Sequence, residues 1–271
     1  MSILRPIPNA KPASKGILKM RALLPHPADQ VDDRFLLQSY SSGQRLFVRF
    51  NFVSSIDGSA QVNGLSKGLG SPADGRIFAL LRRLASVILV GAGTVRAEGY
   101  EGQLLADEDI SWRVEQGMAP QPVLALISRG LNLEPNDPVF VQSPVPVLLF
   151  TSVRVTSEQR QAFGPNTTLV QVSETDGGCD PQEIIAYLQA QGHGFIHAEG
   201  GPHIFGQFAA AGVVDSACIS YSPAVVAGDG MRIAAHGPQT FQSFDLHALF
   251  EEDSMLFCDY RLKKSAGSPQ G

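Results

Sequence analysis

The chain has 271 residues, of which 44% are hydrophobic and 17% charged, and its formal net charge at pH 7 is −5. This composition supplies a packed core, and the negative balance argues against nucleic acid as a partner because a polyanion is bound by a net basic face. No segment approaches the roughly 20 apolar residues that span a bilayer, so the sequence predicts a soluble, cytoplasmic protein without a membrane partner.

The predicted organisation is one domain between two tails. Residues 1–44 are interpreted as a mobile segment rich in Pro, Lys and Ser, followed by a short helix, Val31 to Tyr40, packed on the outside. The domain is predicted at 45–264, and 265–271 is predicted to be a disordered tail.

Strands and helices alternate through this domain. β-branched and aromatic residues predict a first strand at 46–53, and Ser71 with Pro72 predicts the start of a helix. Further strands are predicted at 87–90, 123–127, 145–150, 168–172, 194–198 and 217–221, with helices at 181–191 and 202–211. Alternating residues at 241–246 and 254–262 predict a final antiparallel pair, so the fold class is α/β with a mixed sheet.

Two of the predicted strands end in glycine-rich turns. One turn is Val90-Gly91-Ala92-Gly93-Thr94, and the other is Glu199-Gly200-Gly201-Pro202. A strand that stops at glycines and opens a helix leaves backbone N–H groups free to bind an anion, so two such turns predict a dinucleotide lying across a sheet. A standard Rossmann domain is not predicted, because the first turn lacks the third glycine and no acidic residue follows at the required strand end.

Six blocks of the sequence resemble, in order and spacing, the reductase domain of riboflavin biosynthesis. They are Ser55 to Gly58, Ser66 to Pro72 with Arg82, Val90 to Val95, Ser128-Arg129, Glu199 to Pro202, and Gly212 to Asp215. The resemblance covers about residues 46–262 and implies a dihydrofolate reductase-like fold, a mixed β-sheet flanked by helices. It further implies a homodimer that is free-standing, without the deaminase domain to which this reductase is often fused.

The resemblance also implies a reaction and the residues that perform it. NADPH would reduce a small-molecule substrate, a ribosylamino-pyrimidinone 5′-phosphate, at the ribose C1′. Asp57 and Glu199 are the predicted catalytic residues, and Ser66, Arg82 and Glu199 are predicted to bind the substrate. The residues predicted to bind the cofactor are Val53, Gly68, Gly93, Thr94, Glu98, Ser128, Arg129, Gly200, Gly201, Pro202, His203, Ile204 and Phe205, and the stretch continues to Gln207.

Several of these residues have a structural alternative. An Asp-Gly pair such as Asp57-Gly58 is most often a turn, and Arg82 on a helix is equally a solvated cation that covers apolar surface. Ser128-Arg129 is predicted to clamp the 2′-phosphate that distinguishes NADPH from NADH, with Arg154 after the next strand as a rival.

His197 and Glu199 form an H-x-E motif that zinc deaminases also carry. Those enzymes pair it with P-C-x-x-C, and the three cysteines of this chain form no such pair. His197 is therefore predicted to be a packed core residue, and neither a metal site nor a disulfide framework is predicted.

Two other functions stay open. A dihydrofolate reductase-like activity on a pterin is favoured by the shared fold and by the absence of the arginine expected after Tyr100. Asn51, at a common lysine position, is a further departure from the family. The other is a non-catalytic NADPH-binding sensor or assembly subunit.

Overall fold

A computed structural model describes residues 19–235 and 237–263. The strands are β1 Arg21–Leu24, β2 Phe47–Ser54, β3 Val87–Gly91, β4 Val123–Ile127, β5 Val147–Thr151, β6 Thr167–Gln171, β7 Glu174–Thr175, β8 Gly178–Cys179, β9 Phe195–Ala198, β10 Ser216–Tyr221, β11 Phe244–Glu252 and β12 Met255–Leu262. The helices are α1 Asp33–Tyr40, α2 Pro72–Leu84, α3 Ala92–Glu98, α4 Asp107–Glu115, α5 Pro138–Val141, α6 Ser157–Phe163, α7 Pro181–Ala190 and α8 Pro202–Ala210. A 3-10 turn spans Ser66–Gly68.

Ten of these strands form one mixed sheet in the order β1-β11-β12-β10-β2-β9-β3-β4-β5-β6. The strands from β10 to β6 are parallel, and β12, β11 and β1 add an antiparallel edge. The predicted mixed sheet is confirmed. The chain moves outward from β3 to β6 and then returns to insert β9 between β2 and β3, which is the topological switch where α/β sheets bind ligands.

Helices cover both faces of the sheet. On one face, α7 and α8 pack on a core that includes Phe50 and Ile196; on the other, α1 and α2 pack on one cluster and α3, α5 and α6 on another. Strands buried on both faces need apolar residues throughout, which is why β3 and β5 are apolar runs rather than alternating patterns.

The predicted start of α2 is confirmed. The Ser71 hydroxyl accepts a hydrogen bond from the Asp74 N–H at 3.2 Å, and Pro72 occupies the first turn. Ile77, Leu80 and Leu81 lie on the buried side of this helix, so the capping residues and the apolar spacing act together.

Part of the N-terminal segment that the sequence predicts to be mobile belongs to the sheet and its core. Residues 21–24 form the edge strand β1, in which Ala22 pairs with Phe250 of β11, and Met20 and Ala22 are buried in the same core as α1. Four residues give too short an alternation to predict a strand, and its partner lies more than 200 positions away. Residues 1–18 and the predicted tail at 265–271 lie outside the described residues.

The C-terminal pair is confirmed, but β11 extends further than predicted. A register shift between Leu246 and Ala248 marks a bulge, which interrupts the alternation on which the prediction depended. Across the described ranges, no helix is both long enough and apolar enough to cross a membrane.

Candidate functional site

The two glycine-rich turns lie side by side. β9 and β3 are parallel neighbours, so their carboxyl ends share one edge of the sheet, and the Gly91 N–H donates to the Gly200 carbonyl at 2.8 Å. The two turns, which are about a hundred residues apart in the sequence, therefore form a single structure where β9 inserts beside β3.

Glycine suits these turns because neighbouring side chains leave little room for a Cβ atom. A Cβ atom at Gly91 would lie 2.7 Å from Ile204 Cδ1, and one at Gly201 would lie 3.1 Å from Thr94 Oγ1. Gly200 has φ +99°, a conformation that side chains disfavour, and its Cβ would lie 3.1 Å from the Phe52 ring. The start of α8 thus packs directly against the turn that opens α3.

A cavity of about 1460 Å³ opens at this edge. It exceeds the roughly 300–1,000 Å³ of a site for one small ligand, so it has room for a dinucleotide and a substrate together. Most of the predicted site residues line it: Val53, Ser66, Arg82, Gly93, Thr94, Glu98, Ser128, Arg129, Glu199, Gly201, Pro202, His203, Ile204 and Gln207.

Three residues predicted to bind the cofactor lie behind this lining. The Phe205 ring packs in the core against Phe50 at 4.9 Å and Phe52 at 5.3 Å. Gly68 packs against Val62, and Gly200 supports the turn described above. None of the three is among the described residues that line the cavity. Their contacts give each of them a role in packing.

Asp57 is also outside this lining. Its exposed carboxylate accepts hydrogen bonds from Ser55 Oγ at 2.5 Å, the Ala227 N–H at 2.7 Å and the Val226 N–H at 3.1 Å. These bonds, the one from Ser55 foremost, lower the pKa of Asp57 to about 2. A carboxylate that is ionised at neutral pH and hydrogen-bonded to a loop does not favour proton donation as the way in which Asp57 would act.

We expect Asp57→Asn to lower the melting temperature without lowering kcat. Because the folded pKa of about 2 lies below the usual value of about 3.9, the carboxylate stabilises the fold above about pH 4 and loses that effect as the pH falls towards 2. Melting curves of both proteins at pH 7 and pH 3 check this, since the difference between them should shrink at pH 3. A folded variant without turnover would return Asp57 to the catalytic residues.

Glu199 is the centre of a buried cluster at the end of β9. Its carboxylate accepts two hydrogen bonds from Arg82, from Nε at 2.5 Å and Nη2 at 2.6 Å, and one from the Tyr100 hydroxyl at 2.7 Å. His197 Nε2 lies 3.5 Å from Glu199 Oε1. The Arg82 guanidinium stacks over the Phe78 ring, with Cζ 4.4 Å from the ring centroid, so the Arg82 and Glu199 charges are held in one geometry.

This cluster keeps Glu199 ionised. Burial by itself raises the pKa of Glu199, but the Arg82 guanidinium, with smaller effects from His197 and Tyr100, lowers it below the usual range. Burial lowers the pKa of His197 to about 4, so the imidazole is neutral, and its complete burial confirms the predicted core position. Within the described ranges, no group of three or more His, Cys, Asp or Glu is placed to hold a metal ion.

Arg82 differs from both of its interpretations. Only 1% of the residue is exposed, so it is not a solvated cation on the helix surface. Its guanidinium donates to Glu199 and to the Leu104 carbonyl at 3.1 Å, so its charge is paired with a carboxylate of the protein. Arg82 lines the cavity as the residue that positions Glu199.

Two residues predicted to bind different ligands are bonded to each other. Glu98 accepts hydrogen bonds from the Ser66 N–H at 3.2 Å and from Ser66 Oγ at 3.0 Å. The 3-10 turn is thereby tied to the end of α3, and together they form one wall of the cavity.

Cations gather in the cavity around residues 128–132. Arg129 Nη1 donates to the Gly177 carbonyl at 3.0 Å, and Arg96 Nη1 donates to the Asn132 carbonyl at 3.0 Å. Among the described residues, neither guanidinium forms an ion pair with a carboxylate. Arg154, the rival of Arg129, is exposed and does not line the cavity.

Sequence reasoning did not place several residues that line this cavity, among them Arg96, Tyr100 and Asp74. Arg96 follows the first glycine turn directly, and this position was the available signal. Asn51, which also lines the cavity, was noted only because it stands at a common lysine position of the family. Tyr100 carries no signal beyond its neighbours, and Asp74 was not identified because an acidic residue in the first turn of a helix is usually explained by the helix dipole.

Comparisons with known proteins agree with this architecture. The family model of the RibD C-terminal domain matches residues 46–253. A crystal structure of a pyrimidine reductase-like protein from Corynebacterium diphtheriae is similar with a TM-score of 0.71 and 23% identity, covering 87% of this chain and 100% of the other. The riboflavin biosynthesis reductase of Saccharomyces cerevisiae has a TM-score of 0.64 and 17% identity, covering 86% and 100%.

A third similar structure is the deaminase/5-amino-6-(5-phosphoribosylamino)uracil reductase of Thermotoga maritima, with a TM-score of 0.63 and 21% identity. The match covers 84% of this chain and 60% of that longer protein. These similarities confirm the predicted fold, the dihydrofolate reductase-like mixed sheet. A search of curated proteins finds no significant match.

Proposed function

The chain belongs to the RibD C-terminal domain family, and from this premise we propose that it is an NADPH-dependent reductase. Its proposed substrate is a ribosylamino-pyrimidinone 5′-phosphate, reduced at the ribose C1′ as in riboflavin biosynthesis. A homodimer in the cytoplasm is part of the same proposal.

One observation carries this proposal: an ionised carboxylate stands where the two glycine turns meet. Glu199 ends β9, and the Gly91 and Gly200 backbones are hydrogen-bonded beside it. Backbone turns of this kind suit a pyrophosphate, and a reductase needs little more from its protein than to hold the nicotinamide and the acceptor carbon in register. Bound NADPH would supply the hydride.

Glu199 supports the reaction by its charge. When the ribosylamine opens to a C=N group, protonation of the nitrogen places positive charge on N and C1′. Hydride addition at C1′ then moves the C=N electron pair to nitrogen and leaves an amine. The Glu199 anion, fixed by Arg82 and Tyr100, favours the cationic form that accepts hydride.

Preference for NADPH is assigned to Arg96 and Arg129. Each variant, Arg96→Ala and Arg129→Ala, is expected to raise KM for NADPH about tenfold while leaving KM for NADH unchanged, because only the phosphorylated cofactor loses a charge-assisted bond. Steady-state kinetics with both cofactors measure the effect. Arg154→Ala is the matched control with an unchanged KM; a rise only in that variant would move the 2′-phosphate to the rival residue.

The proposed reaction is tested by NADPH oxidation at 340 nm with the ribosylamino-pyrimidinone phosphate and, in parallel, with dihydrofolate. Turnover of the first supports the proposal. Turnover of dihydrofolate alone makes the protein a pterin reductase, and NADPH binding without either turnover favours a sensor or assembly subunit.

The pterin alternative is favoured by the pairing of Arg82. The cation predicted to meet the substrate phosphate is instead bound to Glu199. A substrate without a phosphate group would not need it.

A further inference from the structure

Asp74 places a carboxyl group in the wall of the cavity, in the first turn of α2. A Cβ atom at Gly70 would lie 3.0 Å from Asp74 Oδ2, so the loop after the 3-10 turn passes directly over the carboxyl. Ser220, at the end of β10, approaches it from the sheet. The group is enclosed on two sides and faces the ligand space.

No cation in the described part of the chain pairs with the Asp74 carboxyl. Among the described residues, the partly buried Asp74 forms no ion pair, whereas the buried acids Asp109, Glu199 and Asp259 each pair with an arginine. Burial raises the pKa of Asp74, and the Ser220 hydroxyl acts in the opposite direction without cancelling the rise. The rise favours the protonated form of Asp74, which offers both a donor and an acceptor.

Asn51 provides a second, independent observation. It is 9% exposed and lines the cavity, yet its Oδ1 atom has no hydrogen-bond partner. The register of β2 on β10 sets Asn51 beside Cys218 and Val53 beside Ser220, so Asn51 is on the same face of the sheet as the serine next to Asp74. Buried polar atoms are rarely left unpaired, and an amide oxygen facing a cavity is therefore a candidate for a ligand contact.

We propose that Asp74 and Asn51 together bind the polar edge of the substrate's heterocyclic ring. The ligand class is a planar, neutral ring with adjacent donor and acceptor groups, such as a cyclic amide or an aminopyrimidine. A phosphate is excluded from this position, because neither side chain carries positive charge and an ionised Asp74 would repel it. This inference rests on the proposed function and deepens it by naming the part of the substrate that this wall recognises.

The test uses the full chain saturated with NADPH and a ring without ribose or phosphate, 5,6-diaminouracil, titrated by isothermal calorimetry. Asp74→Ala and Asn51→Ala should each weaken binding about tenfold, whereas Asp74→Asn, which keeps a neutral donor and acceptor, should restore it. Binding to the unmodified protein should weaken as the pH rises and Asp74 ionises, and binding to Asp74→Asn should not. NADPH affinity reports that each variant is folded, and Asp33→Asn, a first-turn acid of α1, is the control.

Unchanged ring binding in Asp74→Ala would overturn the inference, and so would equal losses in Asp74→Asn and Asp74→Ala. Absence of ring binding to the unmodified protein would overturn it as well. Failure of the proposed reaction is separate, because it is seen as absent turnover of the ribosylamino substrate. Asp74-dependent ring binding without turnover would keep the inference and remove the reaction.

Discussion

Glu199→Gln is expected to lower kcat about 10²- to 10³-fold while NADPH binding is retained. With its oxygen at the Oε2 position, glutamine still accepts hydrogen bonds from Tyr100 and Arg82 Nη2, but its NH2 group faces Arg82 Nε. The variant therefore removes the negative charge and one hydrogen bond of the cluster while keeping the shape of the side chain. Steady-state kinetics and NADPH titration measure the two quantities. KM for the substrate should change less than kcat, because the charge acts on the cationic form that accepts hydride.

Two further variants keep this prediction decisive. Glu199→Asp retains the charge but moves it back by the length of one methylene group. This variant should therefore lose turnover and remain folded. Glu183→Gln changes a carboxylate that is also hydrogen-bonded, to Ser173, but lies away from the cavity, and it should keep full activity. If folded Glu199→Gln turns over at the normal rate, Glu199 is not a catalytic residue.

Arg82→Leu is expected to lower the free energy of unfolding by about 3–5 kcal/mol, because it leaves the Glu199 carboxylate buried without its cation. Arg76→Leu is the matched control on the same helix. Its pair with Asp33 is partly exposed and should contribute only about 0–1 kcal/mol. Urea unfolding at pH 7, followed by circular dichroism, measures both variants.

The pH dependence of this loss has a definite sign. In the intact cluster the pKa of Glu199 is lowered, so the pair stabilises the fold above the unfolded pKa of about 4.3 and the effect is lost as the pH falls. The difference in the free energy of unfolding between Arg82→Leu and the unmodified protein should therefore become smaller as the pH is lowered. If Arg82→Leu lowers the free energy of unfolding at pH 7 by no more than Arg76→Leu does, Arg82 and Glu199 do not form a buried, ionised pair.

Local signals explain what could be predicted without the structure. The Ser71-Pro72 start of α2 and the apolar runs of β3 and β4 act through neighbouring residues, so each was located within a few positions. α4 was missed because its buried side chains are Asp109 and Arg113, which give no apolar period. Their burial is possible only because Arg83 and distant carbonyl groups satisfy them.

The sequence by itself determined the α/β class and the two glycine turns, because these depend on short-range spacing. The family resemblance that it carries implied part of the cavity lining. Only the tertiary structure decided what the charged side chains do. Glu199 meets Arg82 from 117 positions away and Tyr100 from 99, and Asp57 meets a loop 170 positions further on. A pairing at such separation is set by how strands and helices pack. Only in the folded chain is Glu199 a fixed anion, Arg82 the cation that positions it, and Asp57 a residue that holds a loop.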